Sequence, residues 1–356
     1  MKRRFFAVVL ALILAFGLCA CSGTDSNNSE ANTATKSFTD SCGRVVEVPE
    51  DIQRIVVSGT LAQIFVFSLA PDRMCSIATD WSDDAAEYID GKYLDLTVTG
   101  QMYGGTTDIN VEELAKLEPQ LIVDVGESKD NMTETLDELT EQTGVPCVHI
   151  DASLSTMDEA YTMLGDLLGM EEEAAERAEY CREKYDRAVE IMEKVGEENK
   201  KTVLYCLGDI GCNVICKGTY HSEVIDMVSD NLAEAESPTS KGTGNEVSIE
   251  QINSWNPEYI FFAPNSMYEY VEGDSLWENL TAIKNKNYYE VPYGLYNWMG
   301  FPPSVQRYLG MMWMEKVLYP EYCDYDLYEE TCEFYELFFH CELTQEQYDS
   351  LMANSL

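Results

Sequence analysis

The sequence predicts an α/β protein of two lobes, each a mainly parallel sheet flanked by helices, joined by one long rigid helix. Three observations support this fold class. Strand and helix patterns alternate over most of the chain, which is typical of parallel sheets covered by helices. A long helical pattern lies near the middle of the chain. A similar helix–proline–strand segment occurs once on each side of that pattern.

The central helical pattern runs from Glu171 to about Val195. Small or apolar residues recur along it at steps of three and four, which places them on one narrow stripe. Glutamates begin the helix and Lys194 lies in its last turn, so both ends complement the helix dipole. Its length of roughly 37 Å exceeds what one small domain needs internally. We interpret it as a rigid connection between two lobes, with an ordinary surface helix as the alternative.

Residues 1–20 are predicted to be a signal peptide. A basic start and an apolar run end in Leu18-Cys19-Ala20-Cys21, which resembles the lipobox of bacterial lipoproteins. The resemblance implies cleavage before Cys21 and lipidation of its thiol, whereas a plain secretory signal or an uncleaved anchor is the alternative. Residues 21–36 are polar and predict a flexible tether. The mature protein is therefore expected to be extracytoplasmic and lipid-anchored to the bacterial membrane.

The net charge of −41 makes nucleic acid and anionic membrane surfaces unfavourable partners. The chain contains 12 cysteines, which could form disulfides in an exported protein. Their spacing is scattered and includes no CxxC pair, so the sequence leaves their pairing open. Cys206, Cys212 and Cys216 form the tightest group. We interpret Cys206 as a core residue on a strand and the other two as flanking a hairpin.

Residues 37–170 are predicted to form the N-terminal lobe. A small hairpin from Phe38 leads into a strand at Ile55–Ser58. Further strands are expected at 74–79, 121–125 and 145–150. Helices are expected at 61–70, from 111, at 131–142 and at 157–168. This alternation indicates a parallel sheet with helices on its faces.

Residues 171–196 are the predicted linker helix, and residues 197–356 the C-terminal lobe. Strands are expected at 202–207, 259–263 and 288–291. Helices are expected at 221–229, 251–255 and 304–318. From Tyr319 onward, terminal helices are expected to pack on the outside of the lobe.

The repeated segments are Ile109–Val123 and Val247–Phe261. Each predicts a helix that begins at a polar cap, Asn110 or Ser248, and ends at a proline before a strand. A Glu or Gln three residues after each cap could complete a capping box. The position of one such unit on each side of the central helix favours two similar lobes.

Five segments, in this order, resemble one family of substrate-binding proteins, those of ABC importers for iron complexes and vitamin B12. The resemblance covers Phe38 to about Pro320. It implies capture of a ligand between two helix-linked lobes, delivery to a permease dimer driven by its ATPase, no enzymatic activity, no cofactor and a monomeric state. The segments are FTDSCGRVVEVPEDIQRIV, GGTTDINVEELAKLEPQLIV, KGTYHSEVIDMVSDNLA, EVSIEQINSWNPEYIFFA and YEVPYGLYNWMGFPPSVQRYLGMMWMEKVLYP.

The ligand cleft is expected where the carboxyl ends of the strands from both lobes face each other. Aromatic residues in the loops at these ends are candidate walls, because an aromatic face covers a large ligand at little entropic cost. A partly buried core position is the alternative for each. The candidates are Trp81, Tyr103, Tyr220 and Trp298.

His221 and Arg307 are the candidate charged or titratable groups of the cleft. His221 could ligate a metal or donate to an anionic group, although no metal site is assigned. Arg307, in the first turn of a predicted helix, opposes the helix dipole unless it meets an anion or an acidic neighbour. In the family that the sequence resembles, an Asp-Arg pair often precedes the two prolines, where this chain has Gly300 and Phe301. A charged pair of residues that would contact the ligand is therefore absent at these two positions.

Glu112 and Glu250 occupy equivalent positions in the two repeats. The resemblance implies that one glutamate on each lobe meets arginines of the permease, and these two residues fit that role by position. The alternative is that each is only an acid favoured at a helix N-terminus.

The predicted ligand is an iron complex, with a ferric siderophore as the first candidate. Haem, a corrinoid or a metal oxyanion such as molybdate or tungstate remain open within the same fold. A nitrogenase-like oxidoreductase or scaffold is the alternative of another class, but Cys42, Cys75 and Cys147 lack the spacing of a metal-cluster site. The chain also lacks a P-loop, a nucleophile elbow and an HExxH motif.

Overall fold

Two separate sheets, one in each half of the chain, organise the fold. The computed structural model describes residues 34–102, 108–239 and 241–356. The predicted signal peptide and Cys21 lie outside the described residues. Thr35–Leu356 forms one compact unit, and Thr35 and Lys36, at the end of the predicted tether, already belong to a strand.

The first lobe contains a three-stranded parallel sheet flanked by helices. The strands of the whole lobe are β1 (Thr35–Thr39), β2 (Val45–Pro49), β3 (Ile55–Val57), β4 (Ser76–Ile77), β5 (Thr97–Val98), β6 (Leu121–Gly126) and β7 (Cys147–Asp151). Its helices are α1 (Thr60–Leu69), α2 (Val111–Lys116), α3 (Met132–Thr143) and α4 (Met157–Leu168). The sheet has the order β3–β6–β7, while β1–β2 is an antiparallel hairpin and β4–β5 a parallel pair.

A single linking helix, α5 (Glu171–Val195), follows the first lobe. Its bounds agree with the predicted ones. The predicted stripe is largely buried, and Arg177, Tyr180, Lys184 and Ile191 widen the buried face. The helix packs along α4, where an added Cβ on Gly165 would lie 2.5 Å from Cβ of Ala174. Only glycine permits this close approach of the two helices.

The second lobe contains the larger, mixed sheet. Its strands are β8 (Thr202–Leu207), β9 (Asn213–Val214), β10 (Asp230–Asn231), β11 (Asn245–Glu246), β12 (Tyr259–Phe262) and β13 (Tyr288–Glu290). Its helices are α6 (Glu223–Val228), α7 (Ile249–Trp255), α8 (Thr281–Asn285), α9 (Arg307–Leu318), α10 (Leu327–Phe339) and α11 (Gln345–Leu351). The order is β11–β9–β8–β12–β13, with β10 also on β8. β8, β12, β13 and β10 are mutually parallel, whereas β9 is antiparallel to its neighbours. The predicted fold class, two α/β lobes joined by one long helix, is confirmed.

One face of α10, the first of the two C-terminal helices, is buried against both halves of the chain, whereas Glu329, Glu333 and Glu336 are exposed on its other face. The expected position on the outside of the second lobe therefore holds for only one face of this helix. Its aromatic residues recur at helical spacing and form an apolar face. The Phe338 ring lies 5.8 Å from Tyr161 of α4 and 5.2 Å from Tyr180 of α5, measured between ring centroids. Tyr335 contacts Tyr88 of the first lobe at 5.5 Å. The terminal segment therefore belongs by sequence to the second half but packs against the first.

Hydrogen bonds from α5 reinforce this arrangement. Arg177, 7% exposed, donates from Nε to the Ser68 carbonyl at 2.7 Å and from Nη2 to the Leu337 carbonyl at 2.9 Å. One side chain on the linker thus satisfies the carboxyl-terminal ends of α1 and α10. Such carbonyls lack partners within their own helices, so the two bonds hold both helix ends against the linker.

Asn354 and Ser355 hydrogen-bond to Glu290, the last residue of β13 in the second sheet. Asn354 donates from its side-chain amide to Glu290 Oε2 at 2.8 Å, and its backbone carbonyl accepts from the Glu290 amide at 3.0 Å. Ser355, 1% exposed, donates to the Glu290 carbonyl at 2.6 Å and accepts from Trp313 Nε1 at 2.8 Å. These hydrogen bonds from residues 354 and 355 hold the end of β13 in place.

A buried ionic network joins α5 to α9 and α10. Lys184 lies 2.9 Å from Glu330, and Arg187 pairs with the same carboxylate. Glu315, 1% exposed, accepts from the Tyr325 hydroxyl at 2.9 Å. Burial raises the pKa of Glu315 to about 7, against the opposing effects of Tyr325 and Arg187. Glu315 is thus more easily protonated when the chain is folded.

The stability of the protein should depend on pH through Glu315. Because the pKa in the folded state lies above the ordinary value of 4.5, the contribution of this group is complete below about pH 4.5 and is lost as the pH rises through about 7. Urea unfolding from pH 4.5 to 8 should show the free energy of unfolding of the wild type falling relative to that of Glu315→Gln. Glu329→Gln, at an exposed position of α10, is the matched control. Parallel profiles for the wild type and Glu315→Gln would contradict this assignment.

Candidate functional site

The carboxyl ends of β8 and β12 open into a cleft of about 520 Å³. The predicted segments Pro264–Asn265 and Tyr293–Pro303 both contribute to it. Parallel strands end at the same edge of a sheet, so their loops meet there without a covering helix. All of the described lining residues belong to the second lobe, whereas the cleft was expected between both lobes. They are Leu207, Gly208, Asn213, Gly242, Thr243, Ala263, Pro264, Asn265, Tyr293, Asn297 and Phe301.

Two aromatic rings line the cleft. Tyr293 is 46% exposed. Burial, followed by the carboxylates Asp84 and Asp83, raises the pKa of its phenol, which therefore stays protonated at neutral pH. Phe301 stacks on the His221 ring with 5.4 Å between centroids. The His221 Nδ1 lies 2.9 Å from the Gly300 carbonyl, so this histidine supports the loop that carries Phe301.

Three asparagines supply most of the side-chain hydrogen-bonding groups in the lining. Asn297 is 4% exposed and donates to the Tyr205 hydroxyl at 3.2 Å. Asn213 donates to the Thr243 carbonyl at 3.2 Å. The side-chain amide of Asn265 is exposed and makes no hydrogen bond within the described part of the chain. It is available to a ligand.

Trp298 lies in the core rather than on the wall of the cleft. It is 1% exposed, because its loop folds closely over α9. An added Cβ on Gly310 would lie 2.3 Å from the Trp298 carbonyl oxygen. The expectation of an exposed Trp298 wall is therefore corrected, and Tyr293 and Phe301 of the same loop supply the exposed aromatic surface.

Tyr220 and Trp81 lie apart from the cleft lining. Tyr220 donates its hydroxyl to the Ala152 carbonyl of the first lobe, so it joins the lobes. Trp81 is half-buried, donates from Nε1 to the Tyr93 carbonyl at 2.9 Å, and lies 6.2 Å from the Tyr296 ring of the second lobe. The remaining candidate, Tyr103, lies outside the described residues.

Arg307 is paired with an acidic neighbour, the alternative considered from the sequence. Its side chain is fully buried, and Nη1 lies 2.5 Å from Glu223 Oε2 and 3.0 Å from the Tyr220 carbonyl. Its Nε and Nη2 have no hydrogen-bond partner among the described residues. Glu223 also accepts from the Leu154 amide at 3.0 Å. The ion pair therefore compensates the positive charge and ties α6 and α9 to the first lobe.

The first lobe carries a polar network at the same edge of its own sheet, which sequence reasoning missed. The His149 Nδ1 lies 2.7 Å from Asp124 Oδ2, and both residues are buried. The Ser58 hydroxyl donates to Asp124. Ser128 lies 3.2 Å from His149 Nε2 and 2.8 Å from Asp151. The sequence does contain a sign of this network. Asp124 and His149 interrupt the apolar residues of β6 and β7, and the two positions are paired in the sheet.

The candidate docking residues Glu112 and Glu250 are both exposed in the first turns of α2 and α7. The predicted caps are present. The Asn110 side chain accepts from the Glu112 and Glu113 amides at 3.1 Å, and Ser248 accepts from the Gln251 amide at 3.2 Å. The two glutamates are thus presented on similar helix starts, one in each lobe.

Comparison with known proteins gives a family. A family model described as "Periplasmic binding protein" matches residues 76–293, which is more than half of the chain. The chain belongs to this family. The resemblance to the solute-binding proteins of ABC importers is thereby confirmed, and the chain is an extracytoplasmic binding protein.

Solved structures of periplasmic binding proteins share this fold. An ABC transporter solute-binding protein from Sulfurospirillum deleyianum is 24% identical over 89% of this chain and 99% of its own, with a TM-score of 0.82. The molybdate-binding protein MolA of Haemophilus influenzae is 17% identical over 87% and 99%, with a TM-score of 0.69. The catecholate-siderophore binding protein VctP of Vibrio cholerae is 16% identical over 78% and 98%, with a TM-score of 0.57. A comparison with curated proteins finds no match.

The described residues of this periplasmic binding protein contain ten cysteines, all as free thiols. Cys206 is buried on β8, and Cys212 and Cys216 flank β9, as expected. Within the described ranges, no group of three or more His, Cys, Asp or Glu residues is placed to hold a metal ion. No helix in this part of the chain is both long and apolar enough to cross a membrane.

Removal of the Glu223 carboxylate should destabilise the protein. Glu223→Ala leaves the fully buried Arg307 guanidinium without its counter-charge, and we expect a loss of about 3 kcal/mol in the free energy of unfolding. This is the lower end of the range for broken buried pairs, because the Glu223 side chain is 27% exposed. Glu234→Ala, at an exposed position, makes the same change in net charge. Equal urea midpoints for the two variants would show that the pair does not stabilise the fold.

Proposed function

We propose that this periplasmic binding protein captures a metal complex between its lobes and delivers it to an ABC permease dimer driven by its ATPase. A ferric siderophore is the first candidate, with haem, a corrinoid and molybdate or tungstate as alternatives. In this proposal residues 37–170 and 197–356 are the lobes, residues 171–196 the linker, and the protein is a monomer anchored through a lipid on Cys21.

The open cleft at the carboxyl ends of β8 and β12, lined by residues of the second lobe, is the observation that carries the proposal. In the proposal, the first lobe forms the other side of the binding site. The cleft volume of about 520 Å³ lies within the range typical of sites for drug-sized ligands. The exposed Tyr293 ring and the Phe301 ring offer flat surfaces, and the Asn265 amide offers directed hydrogen bonds. A bulky chelate uses such a surface, whereas a small tetrahedral oxyanion needs a tight cage of converging donors.

The names of the related structures support a metal-containing ligand. VctP is named for a catecholate siderophore, MolA for molybdate, and a structure from Helicobacter pylori, CeuE, for a nickel–histidine complex. These are ligands of other proteins, and they agree in being metal complexes or metal oxyanions. The family match favours a binding protein over a nitrogenase-like oxidoreductase.

Purification from the native host tests the ligand class. We expect protein isolated without added ligand to carry stoichiometric iron by elemental mass spectrometry and to absorb visible light. After removal of the ligand, ferric chelates should raise the melting temperature. A colourless, metal-free protein that no ferric chelate, haem, corrinoid or molybdate stabilises against heat would contradict the proposal.

Glu112 and Glu250 are proposed as the permease-docking residues. Reversal of both charges, Glu112→Lys with Glu250→Lys, should abolish uptake in cells while leaving ligand affinity unchanged, because both side chains are exposed and absent from the cleft lining. Glu172→Lys with Glu193→Lys, at exposed positions of α5, makes the same net change elsewhere and should preserve uptake. Loss of ligand binding in the first variant, or equal loss of uptake in both, would reject the docking role.

A further inference from the structure

We propose that the cleft selects metal complexes of zero or positive net charge, such as ferric trihydroxamates, over anionic complexes such as ferric tris-catecholates and over molybdate. The inference rests on the proposed function and specifies the ligand class of the same site. Three features of the described residues support it: the composition of the lining, the position of the nearest buried cation, and the carboxylates around the cleft.

The described residues of the lining offer hydrogen bonds but carry no formal charge. Its polar side chains are the amides of three asparagines, the Thr243 hydroxyl and the Tyr293 phenol, which stays protonated. Gly208 and Gly242 also place backbone on the wall. Amide and hydroxyl groups can donate hydrogen bonds to the metal-bound oxygens of a neutral hydroxamate chelate, which needs no counter-charge. An anionic complex would lose hydrating water on binding here, and no positive group of the described lining would compensate its charge. Its binding is therefore less favourable than that of a neutral complex.

The buried cation near the cleft is not available to a ligand. Arg307 lies next to the loop that carries Gly300, with its Cδ 3.5 Å from an added Cβ on that glycine. Its guanidinium is fully buried against Glu223 and absent from the lining. Breaking this pair to bind an anion would leave Glu223 uncompensated. Lys241 precedes Gly242 and is exposed, but its side chain does not line the cleft either.

The carboxylates of Glu290, Asp83 and Asp84 lie near the cleft. Glu290 Oε1 accepts a hydrogen bond from the backbone amide of Asn265 at 3.2 Å. This N–H donor at the wall of the cleft is therefore already bonded to a carboxylate. Asp83 and Asp84 are close enough to Tyr293 to raise the pKa of its phenol. The chain as a whole carries a net charge of −41. A trianionic tris-catecholate meets repulsion from these groups, whereas a neutral or cationic chelate does not.

Direct titration of the ligand-free mature protein tests the inference. Binding of a neutral ferric trihydroxamate, a ferric tris-catecholate and molybdate is measured by calorimetry at low ionic strength. We expect the trihydroxamate to bind at least about tenfold more tightly than either anion, or about 1.4 kcal/mol. Equal or tighter binding of the tris-catecholate or molybdate overturns the inference and leaves the proposed transport function standing. Binding of none of these, nor of haem or a corrinoid, overturns both.

A charge introduced into the lining should shift the selectivity. Thr243 is exposed at the cleft, so Thr243→Lys places a cation there without disturbing the core. Its affinity for the tris-catecholate should rise about tenfold relative to the wild type at low ionic strength, and the gain should shrink with added salt. Ser254→Lys, at an exposed position of α7 outside the lining, is the matched control. The same affinity in both variants would show that lining charge does not set selectivity, and would overturn the inference.

Discussion

The burial of α5 against both halves of the chain is the constraint on which the rest of the structure depends. A lone helix between two lobes would leave its apolar stripe in water. Here α4 covers one side of the helix, and α9 and α10 cover others. Arg177 adds hydrogen bonds to α1 and α10 from the same helix. The helix therefore acts as part of a continuous core, and this core fixes the relative position of the two sheets.

This continuity limits how the lobes can move. The aromatic residues of α10 contact α4, α5 and the segment around Tyr88, and the Arg307–Glu223 pair contacts the Leu154 amide. A large opening would expose these rings and break the hydrogen bond between the Leu154 amide and Glu223, both of which are costly. Small shear motions that preserve packing are compatible with such an interface. The burial of one face of α10 thus opposes a large separation of the lobes.

Local chemistry made much of the fold predictable. The bounds of α5 follow from its stripe and terminal charges, and Asn110 and Ser248 cap their helices because each precedes an amphipathic pattern. The depth of Trp298 was not predictable, since it depends on Gly310 lying opposite its carbonyl in the folded chain. The burial of α10 was missed because its aromatic face indicates burial but not the partner.

The two sheet edges use their polar groups differently. At the first edge, Ser58, Asp124 and His149 satisfy one another, whereas at the second edge Asn265 keeps a free amide. Two of the loops selected from the sequence line the cleft at this second edge, but Trp298 is buried and Tyr293 and Phe301 line it instead. The ends of strands can be predicted from the sequence pattern, whereas the burial of a particular side chain cannot.

The hydrogen bonds among Asn354, Ser355 and Glu290 have a consequence for the cleft. Glu290 is bonded on one side to Asn354 and on the other to the amide of Asn265. Residues 354 and 355 are thereby linked to the wall of the cleft through one residue, Glu290. A substitution at residue 354 or 355 that removes these hydrogen bonds would therefore displace the wall, although neither residue lines the cleft.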